Sequence, residues 1–408
     1  MKKVELLAPA GDLEKAKIAI MYGADAVYVG GKKFSLRARA SNFDVSDIKE
    51  LTVFAKGYGS KVYVTMNIVP HNEDMEGLIE YFRDLVDANV DAIIASSPYV
   101  IETAKIYAKE LEIHLSTQQS TMNSEAVQYW LDQGVTRVVL GREANLDEIK
   151  EIVDKTKTEI EVFIHGGMCV AYSGRCMLSN HMTTRDANRG GCAHSCRWNY
   201  SLLLEDTKIN EDGFFNFGSR DLMAIQYVPS MIDIGIASLK IEGRMKSVYY
   251  IASVVRCYRN LIDEYYAKNG KLNQQDLVKY QEEIKKAENR IAGSGFLSGK
   301  AGIDSQLYDM RAEQPTKEFI GYVLDYDVSS QIATIEQRNY FEVFDTVEFF
   351  GPKLENTKFV IQEMTDEVGV KLDIARHPKQ VLKILTNVKL SKHDMVRLVE
   401  RFNKDLSL

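Results

Sequence analysis

Five cysteines occur in 408 residues, and four of them, Cys169, Cys176, Cys192 and Cys196, fall within 28 positions. The gaps between them are six, fifteen and three residues. Thiolates hold soft ions and iron–sulfur clusters, so this grouping points to a metal centre rather than to scattered buried thiols. Structural zinc sites pair ligands about two to four residues apart, a spacing that only Cys192 and Cys196 satisfy. The looser gaps suit a [4Fe-4S] cluster better and leave zinc as the less favoured metal. A radical-SAM site would want a further cysteine three residues past Cys196, where the chain has Asn199. Cys257 stands apart beside Val254, Val255 and Tyr258 and reads as core.

The surroundings of the cysteines are basic. Between Ala171 and Tyr200, four arginines (Arg175, Arg185, Arg189, Arg197) face one acid, Asp186, a local net of +3. With Tyr172, Trp198 and Tyr200 nearby, the segment could hold phosphates and stack a base; a solvated loop with ordinary ion pairs is the bland alternative. Asn188-Arg189-Gly190-Gly191 would form a turn whose backbone amides could bind an anion. No His-Glu-x-x-His zinc motif and no Gly-x-Ser-x-Gly elbow occurs.

These residues need a frame. Eight β-rich apolar runs alternate with amphipathic helical stretches: 4–8, 26–30, 61–67, 91–96, 112–117, 137–141, 160–165 and 238–242. Near-continuous apolar strands alternating with helices imply a parallel sheet covered on both faces. An internal echo, a helix ending near Gly or Asn followed by an apolar run, recurs at 22–30, 88–96, 133–141 and 234–242. Eight such units predict an α/β fold, a (β/α)8 TIM-like barrel. A doubly wound open sheet is the alternative, disfavoured because no Gly-x-Gly-x-x-Gly follows the first strand. The rhythm breaks at 166–236, an insertion after strand seven that carries the four cysteines on what would be the catalytic face. Other polar residues fall at strand ends: Arg37, Arg39, Asn67, Thr117, Gln118, Arg142, Glu143, Glu242 and Arg244. Several should line one pocket, though closing the barrel is an equal use for any single one. Within that set Asn67 and Gln118 are taken as substrate-binding candidates, and Arg142, Glu242 and Arg244 as catalytic ones. His165 ends strand seven and is the best-placed histidine, as a general base or as a hydrogen-bond partner of the cluster ligands.

Residues 246–268 read as a long helix, 271–316 as a helical linker with a Gly/Ser-rich break at 291–299, and 317–408 as a small all-β barrel domain. The barrel with its insertion accounts for 1–270. A net charge of -7 argues against bulk polyanion binding. Few cysteines exclude a secreted disulfide framework. The short apolar run at the N-terminus is broken by Pro9 and Gly11, and no stretch is long enough to span a bilayer, so a cytoplasmic location is expected.

At these residues the chain resembles peptidase family U-32, the collagenase-like peptidases. The stretch Glu161-Val-Phe163-Ile-His-Gly166-Gly167-Met168-Cys169, four residues, then Gly174-Arg-Cys176-Met-Leu178-Ser179 follows the family signature. One position departs, with Gly167 where Ser or Ala is usual. The blocks Glu5-Leu-Leu-Ala-Pro-Ala-Gly11, Asn188-Arg-Gly-Gly-Cys-Ala-His-Ser-Cys-Arg197 and Lys240-Ile-Glu-Gly-Arg244 also match. The length and C-terminal domain resemble the branch that makes 5-hydroxyuridine at the tRNA wobble position in dependence on prephenate. The resemblance implies that Cys169, Cys176, Cys192 and Cys196 ligate an iron–sulfur cluster and that nearby arginine and aromatic residues contact tRNA. It implies no particular residue for activating the oxygen donor. Two other functions remain as expectations: a collagenase-like peptidase, and a cluster-bearing accessory protein working with a paralogue. Neither a membrane nor DNA is expected as a partner.

Overall fold

A computed structural model describes residues 3–36, 42–210, 215–287, 290–308 and 318–402. The chain divides into two compact units, one reaching residue 284 together with 290–308, the other 318–402 with the short stretch 285–287.

The first unit is a closed parallel barrel. Its strands are β1 (Glu5–Pro9), β2 (Ala26–Gly30), β3 (Lys61–Met66), β4 (Ala92–Ala95), β5 (Glu112–Leu115), β6 (Arg137–Val139), β7 (Glu159–Gly166) and β8 (Ser238–Ile241). Each pairs in parallel with its neighbour, and β8 pairs with both β1 and β7. That double pairing closes the sheet and disposes of the open-sheet alternative. All eight expected strands are present, displaced by a residue or two at their ends. They were legible because strands sandwiched between interior and helices bury every residue, as Ala26–Gly30 does.

Short polar caps start the helices. Asp12 accepts from the Lys15 amide at 2.9 Å before α1 (Leu13–Met21). Asn145 and Glu148 form a reciprocal capping box at Leu146–Thr156. Ser247 caps the long helix Val248–Ala267, which buries one face against the barrel.

The barrel interior is not wholly apolar. Leu7, Ala26, Tyr28, Tyr63, Ala92 and Ile94 form an inner cluster. Beside it lies a buried ionic network. Arg137 reaches Glu5 at 2.6 Å, Glu159 at 2.8 Å and Glu161 at 3.4 Å, and Lys240 reaches Glu161 at 2.7 Å. Burial pushes the Glu161 carboxyl up, but Lys240 and Arg137 outweigh it and hold it below the usual range. Tyr63 donates to Glu5 at 2.7 Å under the Arg137 guanidinium.

After β7 the chain leaves the barrel and returns through Asp221–Met223, which runs antiparallel to β7 with Leu222 opposite Gly166 and Met223 opposite His165. Beyond the long helix, Gln274–Lys285 is helical, and Ala292–Gly293 pairs in parallel with Asp221 and Leu222. Residues 290–308 therefore complete the barrel unit.

The second unit is an antiparallel eight-stranded half-barrel. Ile332–Gln337 alternates buried and half-buried residues, the period of a one-sided sheet. Ile320, Val323, Phe341, Val347, Phe349 and Val396 fill its core. Arg397, almost fully buried, donates through Nε to Glu348 at 2.7 Å.

Candidate iron–sulfur and RNA site

The insertion lies over the C-terminal mouth of the barrel and is fastened to three of its loops. The Val69 amide donates to the Asn188 carbonyl at 2.9 Å after β3. Glu143, after β6, accepts from the Ser173 amide at 3.0 Å. Ser120, after β5, donates to the Ser173 carbonyl. Gly174 has φ +75° and packs on the Gln118 carbonyl, where a Cβ would sit 2.1 Å away, so only glycine fits. Gly166, at φ +103°, makes the same kind of approach to the Glu242 carbonyl.

Cys169 is exposed, while Cys176, Cys192 and Cys196 are half-buried, and none of the four is in a disulfide. Burial pushes the Cys196 thiol up to about 11, Arg197 pulls it down, and the charges of Cys169, Cys192 and Cys176 raise it further. Cys196 thus feels the charge of the other three thiols of the insertion. Among the described residues, no three or more His, Cys, Asp or Glu side chains converge closely enough to hold a single metal ion. The donor chemistry fits a cluster, whose own sulfides hold its ligands further apart than one ion does.

His165 and Glu242 meet where β7 and β8 end. The Glu242 amide donates to the His165 carbonyl at 2.8 Å, and Glu242 Oε2 accepts from the Gly167 amide at 3.2 Å. His165 is buried, with Nδ1 3.4 Å from the Tyr258 hydroxyl. Burial drives its imidazole down to about 3, the Lys246 charge adds to this, and Glu242 opposes it. The ring is neutral at physiological pH, which suits positioning better than proton donation. The unfolded chain takes up a proton below the ordinary value of 6.5, whereas the folded chain refuses it. Stability is therefore complete above that value and falls with pH towards about 3, by up to about 1.4 kcal/mol per pH unit. His165→Gln should remove this part of the acid sensitivity, read as a smaller drop in the urea midpoint between neutral and mildly acidic buffer.

Arg244 is buried at the ends of β2, β3 and β8. It donates to Ser35 at 2.8 Å, Thr65 at 3.3 Å and Asn42 at 2.7 Å. Its fork also occupies the space a Cβ on Gly30 would need. These contacts tie strand ends together. Arg142 stacks over the Phe163 ring at 3.8 Å. Asn67 bridges the Leu36 amide and Ser116, and the Gln118 amide also bonds Ser116. Arg37 and Arg39 lie outside the described residues.

The arginines of the insertion separate into different environments. Arg175 is exposed, next to Tyr172, which is 61% exposed, and Trp198 is 42% exposed. Arg185 is half-buried. Arg189 is engaged by Asp74 at 2.9 Å and Glu73 at 2.6 Å, which anchors the insertion to the loop after β3. Arg197 turns inward, donating to the Met168 carbonyl at 3.1 Å and to Asp221 at 3.3 Å. Asp221, Arg290 and Lys246 complete this corner, and sequence reading missed all three. Arg290 lies 3.7 Å from Asp221. Burial lowers the Lys246 ammonium, Arg290 and Arg197 act the same way, and Asp221 and Glu242 oppose them. Lys246 gives no signal in sequence because a lysine just before a helix normally faces solvent.

A parallel (β/α)8 barrel whose catalytic mouth is roofed by a four-cysteine insertion defines the class of protein. The chain belongs to peptidase family U32: the family model matches residues 11–307, and the model of the family's C-terminal domain matches residues 315–397. It is 49% identical over 402 residues to tRNA hydroxylation protein P1 of Bacillus subtilis, covering 97% of this chain and 95% of that one. It is 33% identical over 423 residues to tRNA hydroxylation protein P of Escherichia coli, covering 92% of each. A 23S rRNA 5-hydroxycytidine synthase of Escherichia coli is 38% identical over 270 residues, 66% of this chain and 41% of that protein. No helix among the described residues is long and apolar enough to cross a membrane.

Proposed function

We propose that this chain is an iron–sulfur-dependent RNA hydroxylase that forms 5-hydroxyuridine at the wobble position of tRNA. The observation that carries the reading is the grouping of four cysteines, none in a disulfide, on an insertion docked over the barrel mouth. Relatives named tRNA hydroxylation proteins, similar over nearly the whole chain, support the substrate class. Cys169, Cys176, Cys192 and Cys196 would hold a [4Fe-4S] cluster, which supplies one-electron redox chemistry when bound.

The chain's own residues then have distinct tasks. Chemistry on a base requires it unstacked, and the exposed rings of Tyr172 and Trp198 offer faces to hold it. Arg175 and Arg185 meet phosphates. With a net charge of -7, the rest of the surface discourages non-specific binding. Prephenate, the co-substrate implied by the family resemblance, carries carboxylates, and Lys246 is the half-buried cation beside Glu242 able to meet one. Neutral His165 keeps the β7 end rigid beneath the site.

Iron and sulfide analysis of anaerobically prepared protein should give about four of each per chain, as a [4Fe-4S] centre requires. tRNA nucleosides from a deletion strain should lack 5-hydroxyuridine derivatives, and re-expression should restore them. Protein that takes up no iron when iron and cluster-loading factors are plentiful defeats the cluster assignment. Unchanged nucleosides in a strain lacking every paralogue defeat the substrate assignment. Gelatin cleavage by cluster-free protein, lost on a single substitution, would favour a peptidase instead.

A further inference from the structure

Two polar groups flanking Cys196 in sequence find no hydrogen-bond partner among the described residues. Ser195, Cys196 and Arg197 form one short 3-10 turn. Ser195 is 1% exposed and the Arg197 side chain 10% exposed. Ser195 Oγ and Arg197 Nη1 are buried and have no hydrogen-bond partner among the described residues. Native proteins rarely leave buried donors unmatched, because each has given up water for nothing.

The remaining atoms of both residues are held firmly. Arg197 Nη2 donates to the Met168 carbonyl and to Asp221, 3.1 and 3.3 Å away. The Ser195 carbonyl accepts from the Tyr200 hydroxyl at 2.7 Å and from the Trp198 amide at 3.2 Å. Met168 immediately precedes Cys169, so the guanidinium is fastened to one cysteine-bearing segment while it belongs to the other. Its charge reaches the Cys196 sulfur. The turn thus carries two buried, unmatched donors on the residues either side of a cysteine that would be a ligand.

We propose that Arg197 Nη1 and Ser195 Oγ donate hydrogen bonds to the sulfurs of the iron–sulfur centre and hold its reduction potential up. This rests on the cluster assignment above. Donors to cluster or ligand sulfur stabilise the more negative, reduced state, and outer partners of this kind tune a metal site without ligating it. Arg197 is then a positioning and tuning residue, and the exposed Arg175 is left to meet RNA.

The test compares redox titrations of anaerobically loaded wild type, Ser195→Ala, Ser195→Thr and Arg197→Lys. Ser195→Ala and Arg197→Lys should keep wild-type iron and sulfide yet shift the midpoint negative. At a fixed potential the oxidised-to-reduced ratio should rise about tenfold, which is about 59 mV for a one-electron couple. Ser195→Thr keeps the hydroxyl and should stay near wild type. Should a variant fail to load, wild type alone decides, through the shift of its iron–sulfur vibrations on transfer to deuterated buffer. Loaded variants with unchanged potential, or wild type with no deuterium shift, overturn the inference while leaving the cluster in place. Wild type that binds no iron overturns the cluster assignment itself.

Discussion

Alanine in place of Cys196 should leave a folded barrel and remove RNA hydroxylation. Loss of an outer partner at a metal site typically lowers activity about 10–100-fold, so loss of a ligand should exceed about 100-fold. The fold should survive because Cys196 is half-buried on the insertion and takes no part in the strand ladder that closes the barrel. The readouts are iron per chain, cluster absorbance and 5-hydroxyuridine formation, with the thermal melt as the control for folding. Cys169→Ala, Cys176→Ala and Cys192→Ala should behave alike, since the proposed cluster would take one ligand from each. Cys257→Ala should differ. That thiol is 2% exposed on the long helix and donates to the Tyr280 carbonyl at 3.4 Å, so its loss should reduce stability and spare iron. Cys196→Ala protein with wild-type iron and activity would end the ligand assignment.

Arg137→Met should be among the most damaging changes outside the cysteines, and by a different route. Arg137 is 3% exposed and serves Glu5, Glu159 and Glu161 at once. Its removal leaves Glu161, itself 0% exposed, with Lys240 as its remaining ion-pair partner among the described residues, and leaves Glu5 with the neutral Tyr63 and Ser238 hydroxyls. Breaking a buried ion pair by deleting one partner costs about 3–5 kcal/mol, because the other charge stays desolvated. Urea unfolding near neutral pH should show a loss of that order. The deficit should shrink as pH falls, because the Glu161 carboxyl, deprived of the guanidinium that helps hold it low, takes up a proton more readily in the folded variant than in wild type. A loss below about 1 kcal/mol, the level of an exposed pair, would mean that the network contributes little.

Much of this architecture could be read along the chain. The eight strands were visible because each is a short apolar run, and four of them follow a helix that ends near Gly or Asn, a pattern local to about ten residues. Gln133-Gly134 before β6 and Ile234-Gly235 before β8 show it. The cysteine group was visible for the same reason, four thiols within 28 positions. The roles of individual arginines were not. Arg189 and Arg197 sit in one basic stretch and looked equivalent. One is spent on Glu73 and Asp74 across the mouth, and the other is turned inward onto Met168 and Asp221.

The barrel strands and the chemistry of the donors are written in the chain itself, because apolar period and thiol content are properties of neighbouring residues. Only the tertiary structure decided which charges meet. Arg137 and Glu5 are 132 positions apart, Arg189 and Glu73 are 116 apart, and Lys240 and Glu161 are 79 apart. Closing β8 against both β1 and β7 brings Arg137 to Glu5 and Lys240 to Glu161, and docking of the insertion brings Arg189 to Glu73. Burial then sets their strength. The same closure that makes the interior dry turns Arg137 into a keystone.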